Sequence, residues 1–489
     1  MSKIALSIII AIKSEERTYF DLIESLLKQN TSSFELIIVS NKLSPKHQSI
    51  LEFLISNHTD EYLKYITLTN YGCPATLLNE GLSCASGEFA WCLDTNIKFN
   101  NGLCIDKIVD EIFTSKAQSM FLREDNSSKS SMNQNNILLN HPISIISQDD
   151  WQNVSRVIFN LSSIKLFNIK FSEGWDINHG ALFMLQIVRF FPNTYFSQKI
   201  QISAKFKQLH SDQLVDHVLS LNYILRFAEL SFGINSNGFK ILLSKEIEKI
   251  GKVDNLIRNS NLTTGIRHYL RKTRYLQFKL YMEKVQIEQK KYNYLMSILD
   301  QTQQGVTTKP IDMLREYFKY ARIKIHCGAH KTATTYIQNI LNTSRFDLAL
   351  QGTIYIHYER LREDFQEAKS ADNSDVSERM AYAIMNQASL LSFKKPNILL
   401  ISDENLIRPN KDINSYWDSK STYESASNYT CACMPNGYDT LHLKALANIF
   451  NNRVELIYTT RNYFDYLLSR HSEFLKWRSF KNFDNEFFS

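Results

Sequence analysis

The stretch "LSIIIAIKSEERTYFDLIESLLKQNTSSFELIIVSNKLS" (6–44) decides the fold of the N-terminal part of the chain. It holds two short runs of β-branched and aliphatic residues with no polar alternation, the pattern of strands buried on both faces. Between them lies a longer segment with apolar residues at helical spacing. Working outward, strands are predicted at 5–12, 34–40, 62–68 and 88–94, and helices at 18–29, 44–57 and 74–86. Strands that alternate with helices imply right-handed βαβ units and a parallel sheet.

The polar run "EDNSSKSSMNQNN" (124–136) reads as an exposed loop. From 206 to 320 the pattern turns helical, and 282–299 places Met282, Val285, Tyr292, Leu295 and Leu299 at helical spacing. Residues 240–291 carry 13 Lys or Arg against 5 Asp or Glu, a surplus of 8 against a whole-chain charge of +6. Such a surplus suits a solvated face, or attraction to an acidic glycan or an anionic membrane surface. After "QQGVTTKP" (303–310), strands are predicted at 323–327, 353–358, 397–402 and 453–458, with helices at 334–342, 375–393 and 439–451. The expected class is α/β. Two parallel-sheet domains, 1–205 and 321–489, are joined by a basic helical region at 206–320, as a chain of 489 residues exceeds one ordinary core.

Composition narrows the function. With 44% hydrophobic and 22% charged residues the chain is globular, and nothing in it resembles a nucleic-acid-binding motif, so no nucleic-acid partner is expected. Its seven cysteines include Cys431 and Cys433 as a lone C-x-C. An odd number in a long chain reads as free thiols in a reducing compartment. The opening "MSKIALSIIIAIKSEER" has an apolar run that charged residues follow at once, with no small-residue cleavage site; it reads as a buried strand rather than a signal peptide. A cytoplasmic location is expected, with peripheral contact at the inner face of the membrane as a corollary of the basic region.

"IKIHCGAHKTATTYIQ" (323–338) runs from strand to helix through a turn that carries Lys331, Thr332, Thr334 and Thr335. Backbone N–H groups, hydroxyls and an ammonium at a helix N-terminus suit an anion. A nucleotide P-loop is a poor match, because Gly328 precedes Lys331 by only three residues and no glycine adjoins the lysine. The stretch resembles the 5′-phosphosulfate loop of sulfotransferases that use 3′-phosphoadenosine-5′-phosphosulfate (PAPS). That family's K-[ST]-G-T-T core is matched by Lys331, Thr332, Ala333, Thr334 and Thr335, with alanine in place of glycine. In "VELIYTTRNYFDYLLSRHSEF" (454–474), Arg461 follows a strand and Ser469 stands eight residues on, the spacing with which that family binds the 3′-phosphate of PAPS. The resemblance spans 321–489, stops soon after Ser469, and implies a P-loop-like fold. Lys331 would offset charge on the leaving phosphate oxygen. For the general base, Glu404 in "NILLISDENLI" (397–407) stands first, because sites of α/β folds collect at strand ends, and His330 second.

The N-terminal region resembles the family 2, GT-A-type glycosyltransferases, which transfer a sugar from a nucleotide-sugar donor. Residues 6–44 follow that family's first strand, helix and second strand. "GCPATLLNEGLSCASGEFAWCLDTN" (72–96) is similar to its N-x-G-x-x-x-A-x-N-x-G-x-x-x-A-x-G-x-Y-x-x-x-L-D-x-D region. Where the family holds the base with an Asp, Ser40 and Asn41 stand here. The D-x-D that binds a divalent Mn or Mg ion and the donor diphosphate reads Asp94-Thr95-Asn96, so Asp94 is the metal candidate. "IKFSEGWDINHGALF" (169–183) resembles the F-x-E-G region and the catalytic Glu-Asp pair that follows it. Asn178 and His179 fall at that pair, with Asp176 nearby, which makes His179 the candidate base.

Together these readings describe a two-headed carbohydrate-modifying transferase. The main expectation is PAPS-dependent sulfuryl transfer to a glycan or glycolipid hydroxyl, with an attached glycosyltransferase-like domain. The alternatives are an active family 2 glycosyltransferase with an altered sulfotransferase domain, or a glycan-binding scaffold without catalysis.

Overall fold

The structure is a computed structural model of the 489-residue chain. It describes every residue except 1–3, 14–17, 30–32, 42, 57–61, 70–71, 96, 99–103, 125–137, 140–145, 147–151, 174–177, 192, 205–210, 329–333, 371–374, 404–407, 410–437, 440 and 460–489. The chain forms two compact units. The first comprises 1–246 and 284–287, the second 247–283 and 288–489. The boundary thus falls within the helical stretch and divides it between the two units.

In the first unit, β1 (Leu6–Ile12), β2 (Phe34–Asn41), β3 (Leu63–Leu68) and β4 (Phe89–Leu93) lie in the order β3-β2-β1-β4, all parallel. β2 is buried along its whole length. Even-numbered Ile8, Ile10 and Ile12 join Tyr19, Leu22, Ile23 and Leu26 of the helix Thr18–Leu27 on one face. On the other face the helix Pro74–Cys84 lies so close that a Cβ on Gly81 would stand 2.4 Å from Ile9 Cγ2.

The sheet then continues through β5 (Ile97–Lys98), β6 (Ser119–Glu124), β7 (Leu138–Leu139), β8 (Val157–Asn160) and β9 (Thr194–Ala204). Its order is β4-β8-β6-β9-β5, with β7 also on β9. The pairs β4·β8, β8·β6, β9·β5 and β9·β7 are antiparallel, while β6·β9 is parallel. The sheet is therefore mixed, where the sequence suggests a parallel one. The alternation that marks βαβ units is confined to the first ninety residues, and the later strands are too short or interrupted to show a period.

A buried carboxylate joins the amino ends of these strands. Glu35 Oε1 accepts from Ser7 Oγ (2.6 Å), Ser86 N (2.6 Å), Ser86 Oγ (2.9 Å) and Gly87 N (3.2 Å), and Oε2 meets Lys64 Nζ at 2.7 Å. Burial works against the charge, but these partners outweigh it and hold the carboxyl below its ordinary range. Gly87 admits no side chain, since a Cβ would lie 2.7 Å from the Ser7 backbone nitrogen.

The predicted helix over 282–299 is two helices, Thr264–Lys284 and Gln289–Thr302. Met282 belongs to the end of one, Val285 lies just past it, and Tyr292, Leu295 and Leu299 belong to the next. The spacing from 285 to 292 is two helical turns and conceals the break. In the second unit the basic side chains of this region partly turn inward. Asp254 is bonded by Arg271 Nε and Arg258 Nε at 2.6 Å each, and Arg271 Nη2 donates to Gln304 O (2.7 Å) and to Thr302 O.

The second unit's sheet holds β10 (Arg322–Gly328), β11 (Thr353–His357), β12 (Ile398–Ser402) and, beyond the short antiparallel pair β13 (Arg408–Pro409) and β14 (Tyr438–Asp439), β15 (Val454–Thr459). Its order is β11-β12-β10-β15, entirely parallel. Among the described residues no helix is long and apolar enough to cross a membrane, and the five described cysteines are free.

Candidate functional site

In the first unit the candidate residues gather at the carboxyl ends of the parallel strands. Ser40 and Asn41 end β2 and are both buried. Ser40 Oγ lies 3.1 Å from Tyr65 OH. Asn41 Nδ2 donates to Gly72 O (2.9 Å), and Gly72 N donates to Asn41 Oδ1 (2.8 Å). Two bonds of this kind contribute about 1 kcal/mol each. They turn Asn41 toward the loop that starts the helix Pro74–Cys84, a holding role that the sequence reading of a base-binding Asn41 does not include.

Asp94 stands one residue past β4 with its side chain exposed. Its backbone N–H donates to Ser155 Oγ (2.8 Å), and its carbonyl accepts from Ile97 N (3.1 Å) in a tight turn. Trp91 Nε1 donates to Ser155 O (2.7 Å). Ser155 thus anchors the backbone at the strand end, next to an exposed residue. Asn96 lies outside the described residues.

The base candidate reaches the same stretch from the other side. His179 is the first residue of the helix His179–Phe190, and its ring lies 6.0 Å from that of Phe171. At the next position a Cβ on Gly180 would meet Gln152 O at 2.6 Å and Val154 Cγ2 at 2.8 Å. The start of the helix therefore packs on 152–154, just before Ser155. Residues 94 and 179 are brought to one segment although 85 positions separate them.

Several polar residues at this site escaped the sequence reading. Asn79 donates to Phe171 O (3.0 Å) and Glu173 Oε1 (3.0 Å) and accepts from Phe171 N (2.9 Å). Asn178 Nδ2 donates to Ser220 Oγ (2.8 Å) and lies 3.1 Å from His217 Nδ1. Asn79 and Glu173 fall inside the quoted motifs, which was the available signal. His217 and Ser220 sit in the helix Ser211–Phe232 with no local mark.

Asp94 can be tested against the divalent ion that a D-x-D implies. Among the described residues no group of three or more His, Cys, Asp or Glu could hold a metal. One exposed carboxylate at a strand end fits an ion whose other ligands are donor phosphate and water, in the manner of Mg, and does not fit an all-protein cage.

In the second unit the chain leaves β10 toward β11 and leaves the neighbouring β12 the other way, toward β15, so the connections reverse between β10 and β12. Ligands of open α/β sheets bind at such a reversal, beyond the carboxyl ends. Gly328 and Thr459, the last residues of β10 and β15, are register partners. Lys331, Thr332, Ala333, His330, Glu404, Arg461 and Ser469 lie outside the described residues. Thr334 and Thr335 open the helix Thr334–Thr343.

Below that end is a buried polar cluster that the sequence reading missed. His326 Nδ1 lies 2.8 Å from Ser402 Oγ, to which Gln338 Nε2 also donates (3.1 Å). Asp403, fully buried, accepts from Arg362 Nη2 (2.5 Å) and Nε (3.2 Å). Burial holds the His357 imidazole below its ordinary range, although Glu359 and Asp403 pull the other way. Asp403 adjoins Glu404 in the strand-end motif that the sequence reading singled out.

Comparison with known proteins bears on the first unit. Residues 7–162 match the family model described as Glycosyl transferase family 2. Among solved structures, S. aureus TarS 1–349 is similar at 14% identity, covering 62% of this chain and 90% of its own, with a TM-score of 0.46; its complex with UDP-GlcNAc is similar at 15% with the same coverage and score. The mannosyltransferase PcManGT from Pyrobaculum calidifontis, in complex with GDP-Man and Mn2+, is similar at 11% identity, covering 62% and 88%, with a TM-score of 0.37. Likenesses this weak carry nothing about substrate. No curated protein matches the chain. None of the matches supports sulfuryl transfer, and glycosyl transfer, the alternative in the sequence reading, fits the family match better. Residues 7–162 thus carry a family 2 glycosyl transferase domain.

Proposed function

We propose that the first unit transfers a sugar from a nucleotide-diphosphate donor to a hydroxyl of a glycan or glycolipid. One observation carries this reading beyond the family match: an exposed Asp94 carboxylate on a braced turn at the carboxyl end of β4. Asp94 would hold a Mn or Mg ion shared with the donor diphosphate, and that ion would offset charge on the departing phosphate. The acceptor oxygen forms a bond to the anomeric carbon as the bond from that carbon to the diphosphate breaks. His179, at the helix start packed on 152–154, is the proposed acceptor of the hydroxyl proton. Calorimetry with UDP and GDP, with and without Mn, tests the reading. Binding that strengthens with Mn in the parent and not in Asp94→Ala supports it; no binding of either nucleotide rejects it.

A second reading keeps PAPS-dependent sulfuryl transfer for the second unit. It is favoured by the side-by-side ends of β10 and β15, from which the chain runs three residues to Lys331 and two to Arg461. 3′,5′-ADP should then bind far better than ATP, which lacks the 3′-phosphate, and Arg461→Ala should remove that preference. Equal affinity for the two nucleotides rejects it.

A further inference from the structure

Asn178 occupies the position before the helix His179–Phe190, where an asparagine ordinarily caps its own helix, a role worth about 1 kcal/mol. Here it makes no such cap. Its backbone is left-handed (φ 60°), a conformation that asparagine tolerates, and its amide is turned to Ser220 Oγ and His217 Nδ1 in another helix. Local stability has been given up for a fixed position.

Asn79, inside the helix Pro74–Cys84, likewise holds a distant segment, at Phe171 and Glu173, five residues before Asn178. It commits its carbonyl and its amide to the backbone of Phe171 and to the Glu173 carboxylate. The helix that carries it is a rigid support, because Gly81 seats it on Ile9 and the Asn41–Gly72 clasp fixes its entry. Phe171 is itself buried and stacked on Phe183 at 3.9 Å. Glu173 remains exposed, with one oxygen held.

We propose that Asn79 and Asn178 are positioning residues that fix Glu173 and His179, from two different helices, for the acceptor side of sugar transfer. The proposal rests on the glycosyl-transfer reading for its chemistry. Neither asparagine touches the strand ends where the donor is expected. Each acts through the chain it holds, and small displacements of a base or an acceptor contact are costly to rate.

The test uses the full-length protein and three variants: Asn79→Ala, Asn79→Asp and Asn178→Gly. Glycine keeps the left-handed backbone and deletes only the side chain, which separates strain from contact. Aspartate keeps the acceptor for Phe171 N but sets a carboxylate against Phe171 O and Glu173. UDP affinity in Mn, UDP release from UDP-GlcNAc and amide hydrogen exchange are measured on each. Turnover should fall about tenfold to a hundredfold with UDP affinity changed less than about twofold, and exchange should rise at 171–173 for Asn79 variants and at 178–182 for Asn178→Gly. Unchanged exchange at those amides overturns the proposal, as does full turnover in the variants. A parent protein that binds neither UDP nor GDP rejects the glycosyl-transfer reading instead, while exchange at the same amides still upholds or rejects the two clasps.

Discussion

The carboxyl ends of the two sheets use buried polar side chains in opposite ways. In the first unit Asn41 and Ser155 bond to backbone and brace the turns around an exposed aspartate. In the second unit His326, Ser402, Gln338, Arg362 and Asp403 bond mainly to one another, and the aspartate at the strand end is closed. An open carboxylate on a rigid turn can share a cation with an incoming phosphate. A buried one already held by a guanidinium is a cornerstone, and chemistry there must come from the loops beyond the strands. Position at a strand end does not by itself make a site; exposure decides.

The comparison can be broken most directly at its two aspartates. Asp94→Ala should lower Mn-dependent turnover of a nucleotide sugar by about a hundredfold or more and leave the unfolding midpoint near that of the parent. Asp403→Ala should do the reverse, because it removes the fully buried carboxylate that accepts two bonds from the largely buried Arg362. A loss of about 3–5 kcal/mol is expected by urea unfolding, and a stable Asp403→Ala protein would show that the pair is no cornerstone.

Buried carboxylates sharpen the contrast through pH. Glu35 is held below its ordinary 4.5, so its contribution is fully present above that value and is lost as pH falls through the lowered one. Asp364 in the second unit is pushed up to about 6 by burial, with Glu367 and Glu363 adding to it against a bond from Gln387. Its contribution is full below its ordinary 3.8 and is lost as pH rises through about 6. Between pH 7 and 5 the second unit should therefore gain from Asp364 while the buried His357, with its lowered imidazole, pulls the other way; hydrogen exchange on the parent and Asp364→Asn separates the two. Asp364→Asn should stabilise the second unit at pH 7 by about 1–2 kcal/mol and remove the Asp364 part of the pH dependence. A pH dependence unchanged in Asp364→Asn would place its origin elsewhere.

The smallest effect is expected at the exposed pair Arg322–Glu455, which joins β10 to β15 through two bonds of 2.9 Å. Surface pairs contribute little and are screened by salt. Glu455→Gln should leave the thermal midpoint unchanged at moderate salt, and a clear drop would show the edge strand to depend on it.

Much of this architecture was legible before any coordinates. The strands at 34–40 and 353–358 and the helix at 74–86 fall within one or two residues of Phe34–Asn41, Thr353–His357 and Pro74–Cys84. Long apolar runs bounded by turns announce themselves. β5 and β7, of two residues each, do not, because pairing with β9 rather than any local pattern makes them strands. Of the site, Asp94 and His179 were visible through motif positions. Asn79 and Asn178 were quoted without a role, and His217 was invisible, since a partner 39 residues away leaves no mark on spacing. Lys331, Glu404, Arg461 and Asn96 lie outside the described residues.

Glu35 has a consequence for the order of events in folding. Its bonds to Ser7 and Ser86 close loops of 28 and 51 residues, and they require β1, β2 and the turn before β4 to be in place together. A one-residue slip between β1 and β2 would move Ser7 to the wrong face of the sheet. The carboxylate therefore checks register once these elements have met, and Glu35→Gln should raise the unfolding rate more than it lowers the folding rate. Interactions absent from the folding transition state slow unfolding without speeding folding, so the lifetime of the assembled sheet, more than the rate of its assembly, depends on this one side chain.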